Sequence, residues 1–128
     1  YMHCEECLEH DELLKLRNRQ TLKIEDVGNI GWQPISFCSP EGIAYYMPAL
    51  ARLALTETDA YGWYGDTLYI HLSHNGSENA FLKYCSCTQR QAVAQFLRYL
   101  NKTFTDPYMR ITNFEEIEEC ATIWSNLT

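Results

Sequence analysis

The run Ser39-Pro40-Glu41 constrains this chain more than any other feature. Serine supplies a cap oxygen, proline at the first helical position gives up an N–H that would lack a partner anyway, and the acid meets the positive end of the helix dipole. Behind it Ile43, Tyr46, Met47, Leu50 and Leu53 or Ala54 recur at helical spacing and trace one buried stripe. Pro48 falls inside this run and removes a backbone donor, so a kink or a break is expected near Met47.

Similar punctuation recurs along the chain. Cys4 to Arg19 reads as a first helix, with acids near its start and Lys15, Arg17 and Arg19 near its end. A connecting segment broken by Gly28, Gly31 and Pro34 follows, with Trp32 and Ile35 expected to tuck it onto the core. Gly62 to His74 reads as a helix through Tyr64, Leu68, His71 and Leu72, although the alternation of Leu68, Ile70 and Leu72 also permits a strand. Asn75-Gly76-Ser77 is a turn, and Phe81, Leu82 and Tyr84 form a short apolar segment. Thr88 is the expected cap of a helix carrying Ala92, Val93, Phe96, Leu97 and Leu100. After the stop at Asp106-Pro107, Asn113 opens a last helix with Phe114, Ile117, Ala121 and Trp124 on one face. The expected fold is all-α, a single-domain bundle of about five helices over residues 1–128, with room for a short β-hairpin or extended segment. Apolar residues, 46% of the 128, suffice for one core without staples.

Charge narrows the function. A net charge of −7 argues against a nucleic-acid ligand, because phosphate binding depends on clustered Lys and Arg. The acids bunch around Glu5 to Glu12 and at Glu115, Glu116, Glu118 and Glu119, a field that favours a basic protein partner. The plainer alternative is a solvated face that aids solubility. No apolar run is long enough to cross a bilayer and no secretory leader is visible, so a cytoplasmic protein without a membrane partner is expected. Tyr61, Trp63 and Tyr64 cluster around Gly62 and Gly65, which makes them the expected exposed aromatic patch, with Tyr61 and Trp63 as anchors for a partner.

His3, Cys4, Cys7 and His10 place four soft-metal ligands in one short stretch. Zinc takes four tetrahedral ligands from thiolates and imidazoles. One straight helix cannot wrap all four around an ion, so a zinc site needs a frayed start or a thiol from Cys85 or Cys87. The competing reading is ordinary thiols and surface histidines, with the six cysteines reduced and mostly buried. A redox role for Cys4 and Cys7 is disfavoured, because Glu5 and Glu6 raise rather than lower the thiol pKa. His71, His74 and Asp66 lack any accompanying hydrolase motif, so no enzyme is expected.

The segment from Phe37 to Leu55, with Cys4, Cys7, Glu9 and His10 before it, resembles a family of small uncharacterised bacterial proteins. In that family a CxxCxEH-type start precedes an SPEGxxYYxPAL core. Gly31, Trp32, Pro34, Ser39, Pro40, Glu41, Gly42, Tyr45, Tyr46 and Pro48 carry the likeness, which extends over residues 3 to about 100. It implies a soluble helical domain of bacterial origin and no catalytic residues. Two functional expectations stand. The first is a non-catalytic acidic protein-binding module, immunity-like, that neutralises a basic toxin. The second is a small zinc-binding protein with a structural site at Cys4, Cys7, His10 and His3.

Overall fold

Six α-helices account for most of what the computed structural model describes, namely residues 17, 20–27, 35, 38–56, 58–59, 62–106, 108 and 110–126. They are α1 (Ile24–Val27), α2 (Pro40–Thr56), α3 (Tyr64–Ser73), α4 (Ala80–Tyr84), α5 (Cys87–Thr103) and α6 (Phe114–Ser125). A single antiparallel pair, β1 (Thr58–Asp59) and β2 (Gly62–Trp63), links α2 to α3, with Thr58 opposite Trp63 and Asp59 opposite Gly62. The mostly helical expectation holds. The expected first helix lies outside the described residues except for Arg17, whose Nε donates to Asp26 Oδ2 at 2.9 Å.

Helix α2 begins where its cap chemistry dictates. Ser39 Oγ accepts from the Gly42 amide at 3.2 Å, and the Ser39 carbonyl accepts from the Ile43 amide at 3.0 Å. Of the kink or break expected near Met47, the break does not occur, for the helix runs through Pro48 to Thr56. An interior proline costs roughly 3 kcal/mol. Burial of Tyr46 and Ala49 on either side of it, and of Leu50, Leu53 and Ala54 beyond, offsets that cost. The cap of α5 also differs from expectation. Ser86, not Thr88, accepts from the Gln89 amide at 3.2 Å while the Gln89 side chain accepts from the Ser86 amide at 2.8 Å. This reciprocal box satisfies two donors at once at the start of the helix, whereas Thr88 stands two residues further on and already inside α5.

Helices α5 and α6 pack along one another, and their apolar stripes meet those of α2 and α3 in one core. Trp124, Tyr64, Leu50, Leu68, Leu97 and Ile117 are wholly buried. The two buried indoles among the described residues find polar partners at helix ends, where the last carbonyls lack intrahelical donors. Trp63 Nε1 donates to the Ala54 carbonyl at 2.7 Å and Trp124 Nε1 to the Leu72 carbonyl at 2.9 Å. Asn79 does the same for the end of α3, its amide reaching the carbonyls of His71 (2.9 Å) and His74 (3.0 Å) while its oxygen caps α4 through the Leu82 amide.

Packing dictates glycine at position 65, and backbone conformation favours it at position 76. The Trp63 ring folds back so closely over Gly65 that a Cβ there would lie 2.2 Å from it. At the turn after α3, Asn75 and Gly76 both take left-handed backbone (φ 63° and 53°), a region that Asn and Gly tolerate best. Among the side chains of the described residues, only the Tyr64 hydroxyl is buried without a hydrogen-bond partner, and burial pushes its pKa well up.

Candidate functional site

The acidic face of α6 follows from its periodicity. Asn113 caps the helix by accepting from the Glu116 amide at 2.8 Å. Ile117, Cys120, Ala121 and Trp124 turn inward, which leaves Glu115, Glu116, Glu118 and Glu119 exposed, as the pattern led one to expect. Glu115 and Glu116 sit in the first turn, where the helix dipole favours them. Glu118 accepts from Arg98 Nε at 3.1 Å, a pair exposed on both sides and so worth at most about 1 kcal/mol. The other three form no ion pair among the described residues. Tyr69 of α3 lines a hollow with Glu116 and Glu119. Its phenol is pushed above the ordinary value first by burial and then by the charges of Glu116, Cys120 and Glu119, against a hydrogen bond with Ser73.

Immediately before α6, the loop from Phe104 to Asn113 is held by an inverted arrangement of polar and apolar groups. Arg110 is only 7% exposed. Its Nε donates to the Thr112 carbonyl at 2.9 Å, Nη1 to the Phe104 carbonyl at 2.8 Å and Nη2 to Asn101 Oδ1 at 2.7 Å. The guanidinium lies 4.0 Å over the Phe114 ring and 5.4 Å from the Trp63 ring. Asp66 of α3, also buried, accepts from the Ile111 and Thr112 amides, each at 2.9 Å. With the ions inside, the apolar side chains point out: Tyr108 is 98% exposed and Ile111 88%.

Of the residues expected to bind a partner, the four glutamates thus share one exposed face. Trp63 does not join them. It is 2% exposed, held inward by the orphan carbonyl of Ala54, and with buried Tyr64 it corrects the expectation of an aromatic patch there. Tyr61 and the proposed zinc ligands His3, Cys4, Cys7 and His10 lie outside the described residues. Among the described residues, no three or more His, Cys, Asp or Glu side chains are grouped to hold a metal. Cys38, Cys85, Cys87 and Cys120 form no disulfide, and Cys85 and Cys120 are buried; burial pushes Cys120 up to about 12.

Sequence reasoning missed Tyr108 and Ile111. The signal was Arg110, a lone cation set among apolar residues, which by default is placed facing water. Elsewhere, His71 and His74 line a hollow of about 340 Å³ with Cys38 and Asn79. Burial, then the neighbouring His74, pushes His71 down to about 4. Asp66 stands apart from them, with both oxygens committed to the loop. An apolar groove of about 290 Å³ runs between α2 and α5, lined by Met47, Pro48, Phe81, Val93 and Phe96. Among the described residues no helix is long and apolar enough to cross a membrane.

Comparison with curated proteins and with solved structures finds no match to this chain. A family model does match, over residues 5–127, and by that match the chain belongs to the family of unknown function DUF6714.

Proposed function

We propose that this protein is a non-catalytic binding module that docks on a basic partner protein through the outer face of α6. Within that class we read it as an immunity-like protein that neutralises a basic bacterial toxin. The observation that carries the reading is the grouping of Glu115, Glu116, Glu118 and Glu119 on one exposed face, only Glu118 of them ion-paired among the described residues. The chain's net charge of −7 extends the field beyond that face. Such a field speeds encounter with a positive surface and repels acidic competitors. A toxin that cleaves nucleic acid presents the required positive surface, since it must hold phosphates.

The test compares the tagged chain with a Glu115→Lys/Glu116→Lys/Glu118→Lys/Glu119→Lys variant as baits in the native host. The wild type is expected to retain a basic protein that the variant does not. Affinity for that protein, once purified, is expected to fall steeply with added salt, because exposed charges are screened within about 8–10 Å at physiological ionic strength. Equal retention by both baits, or salt-insensitive binding, removes the α6 face from the interface.

A further inference from the structure

Tyr108, Ile111 and Phe114 are large apolar side chains within seven residues of one another, exposed by 98%, 88% and 42%. Exposure of single apolar side chains is ordinary, but here the backbone beneath them is fastened. The buried Asp66 carboxylate holds the Ile111 and Thr112 amides, and the buried Arg110 guanidinium holds the Phe104 and Thr112 carbonyls. A loop pinned from below in this way presents its outer side chains with little left to order on binding, which is the condition for an efficient contact. Ile111 lies two residues before the Asn113 cap, so these side chains and Glu115 and Glu116 share one end of α6.

We infer that this loop is the apolar anchor of the acidic surface: Tyr108, Ile111 and Phe114 receive the apolar stripe of a basic amphipathic segment whose Lys and Arg side chains meet the glutamates of α6. The inference rests on the α6 reading above and adds the kind of segment recognised. Charge complementarity selects this occupant. A second copy of the chain would bring Glu115 and Glu116 against their own kind, and an anionic bilayer surface would repel them. Clusters of buried aromatic and aliphatic anchors ringed by charge are where binding energy concentrates.

Two synthetic peptides of equal length and charge separate the contributions: an amphipathic Lys/Leu helix and a Lys/Gln peptide. Fluorescence anisotropy at low salt is expected to show the wild type preferring the Lys/Leu peptide by roughly 30-fold, the scale of burying one or two such side chains. In a Tyr108→Ser/Ile111→Ser variant that preference is expected to shrink to within about threefold, with Lys/Gln binding and the melting temperature unchanged. A preference retained in the double variant, or absent from the wild type, overturns the anchor and leaves the charged face standing. Unchanged binding of both peptides to the four-lysine variant overturns the charged face instead. Two further outcomes count against the basic segment: wild-type binding to neutral phosphatidylcholine vesicles that the double variant loses, or a dimer that the double variant disperses.

Discussion

Two irregular connections meet beside the Trp63 ring, and they dispose of their aromatic and charged residues in opposite ways. The segment between α2 and α3 turns Trp63 and Tyr64 inward, to 2% and 1% exposure. The loop between α5 and α6 turns Arg110 inward and leaves Tyr108 and Ile111 in water. They touch, Trp63 to Phe104 at 5.1 Å between ring centroids and Arg110 over the Trp63 ring at 5.4 Å. The difference lies in the partners available to each polar group. Trp63 carries one N–H and finds one orphan carbonyl, at Ala54, so the whole ring can be buried. Arg110 carries five donors, and the loop carbonyls with Asn101 satisfy enough of them to take a guanidinium inside.

The largest test of this contrast is Trp63→Ala, expected to destabilise the fold by about 3–5 kcal/mol in urea titrations, the range for emptying a large aromatic site. Asp66→Ala comes next. It strands the Ile111 and Thr112 amides and leaves buried Arg110 without its nearby negative charge, for an expected loss of about 2–3 kcal/mol. A loss under about half a kcal/mol would mean that the loop holds itself. Tyr64→Phe sharpens the inward side, because the hydroxyl removed has no partner. Stability is expected to stay level or rise by about 1 kcal/mol, and a clear loss in the melting curve would reveal a partner for that hydroxyl. Smallest of all, Tyr108→Ala and Ile111→Ala are each expected to stay within about 0.5 kcal/mol of wild type. A larger cost would place these side chains inside the fold.

What could be read from the sequence was what local chemistry decides. Ser39 with Pro40, and Asn113, mark the starts of α2 and α6 because a cap and its first turn are neighbours in the chain. The glutamates of α6 were legible as the complement of its buried stripe. Pro48 does not break the helix because its local cost is outweighed by burial along α2. Thr88 misled because Ser86 and Thr88 each have a Gln three residues on, and the box closes on Ser86 and Gln89 while the Gln91 side chain donates to the Ser125 carbonyl. The aromatic patch expected around Gly62 is turned inward at Trp63 and Tyr64. Its correction depends on Ala54 for Trp63, nine residues back, and on Asp66 for Ile111, 45 residues back. Pairings at that distance leave no periodic trace in composition or spacing.

Hydrogen exchange at the Ile111 and Thr112 amides tests most directly whether the outward loop is pinned from within. Both amides bond to a buried carboxylate, so in the wild type they are expected to exchange at least roughly a thousandfold more slowly than in an unfolded chain. In Asp66→Ala that protection is expected to vanish while the amides of α5 keep theirs. Exchange of Ile111 and Thr112 at unfolded rates in the intact wild-type protein would contradict the braced loop, and with it the anchor built on Tyr108 and Ile111.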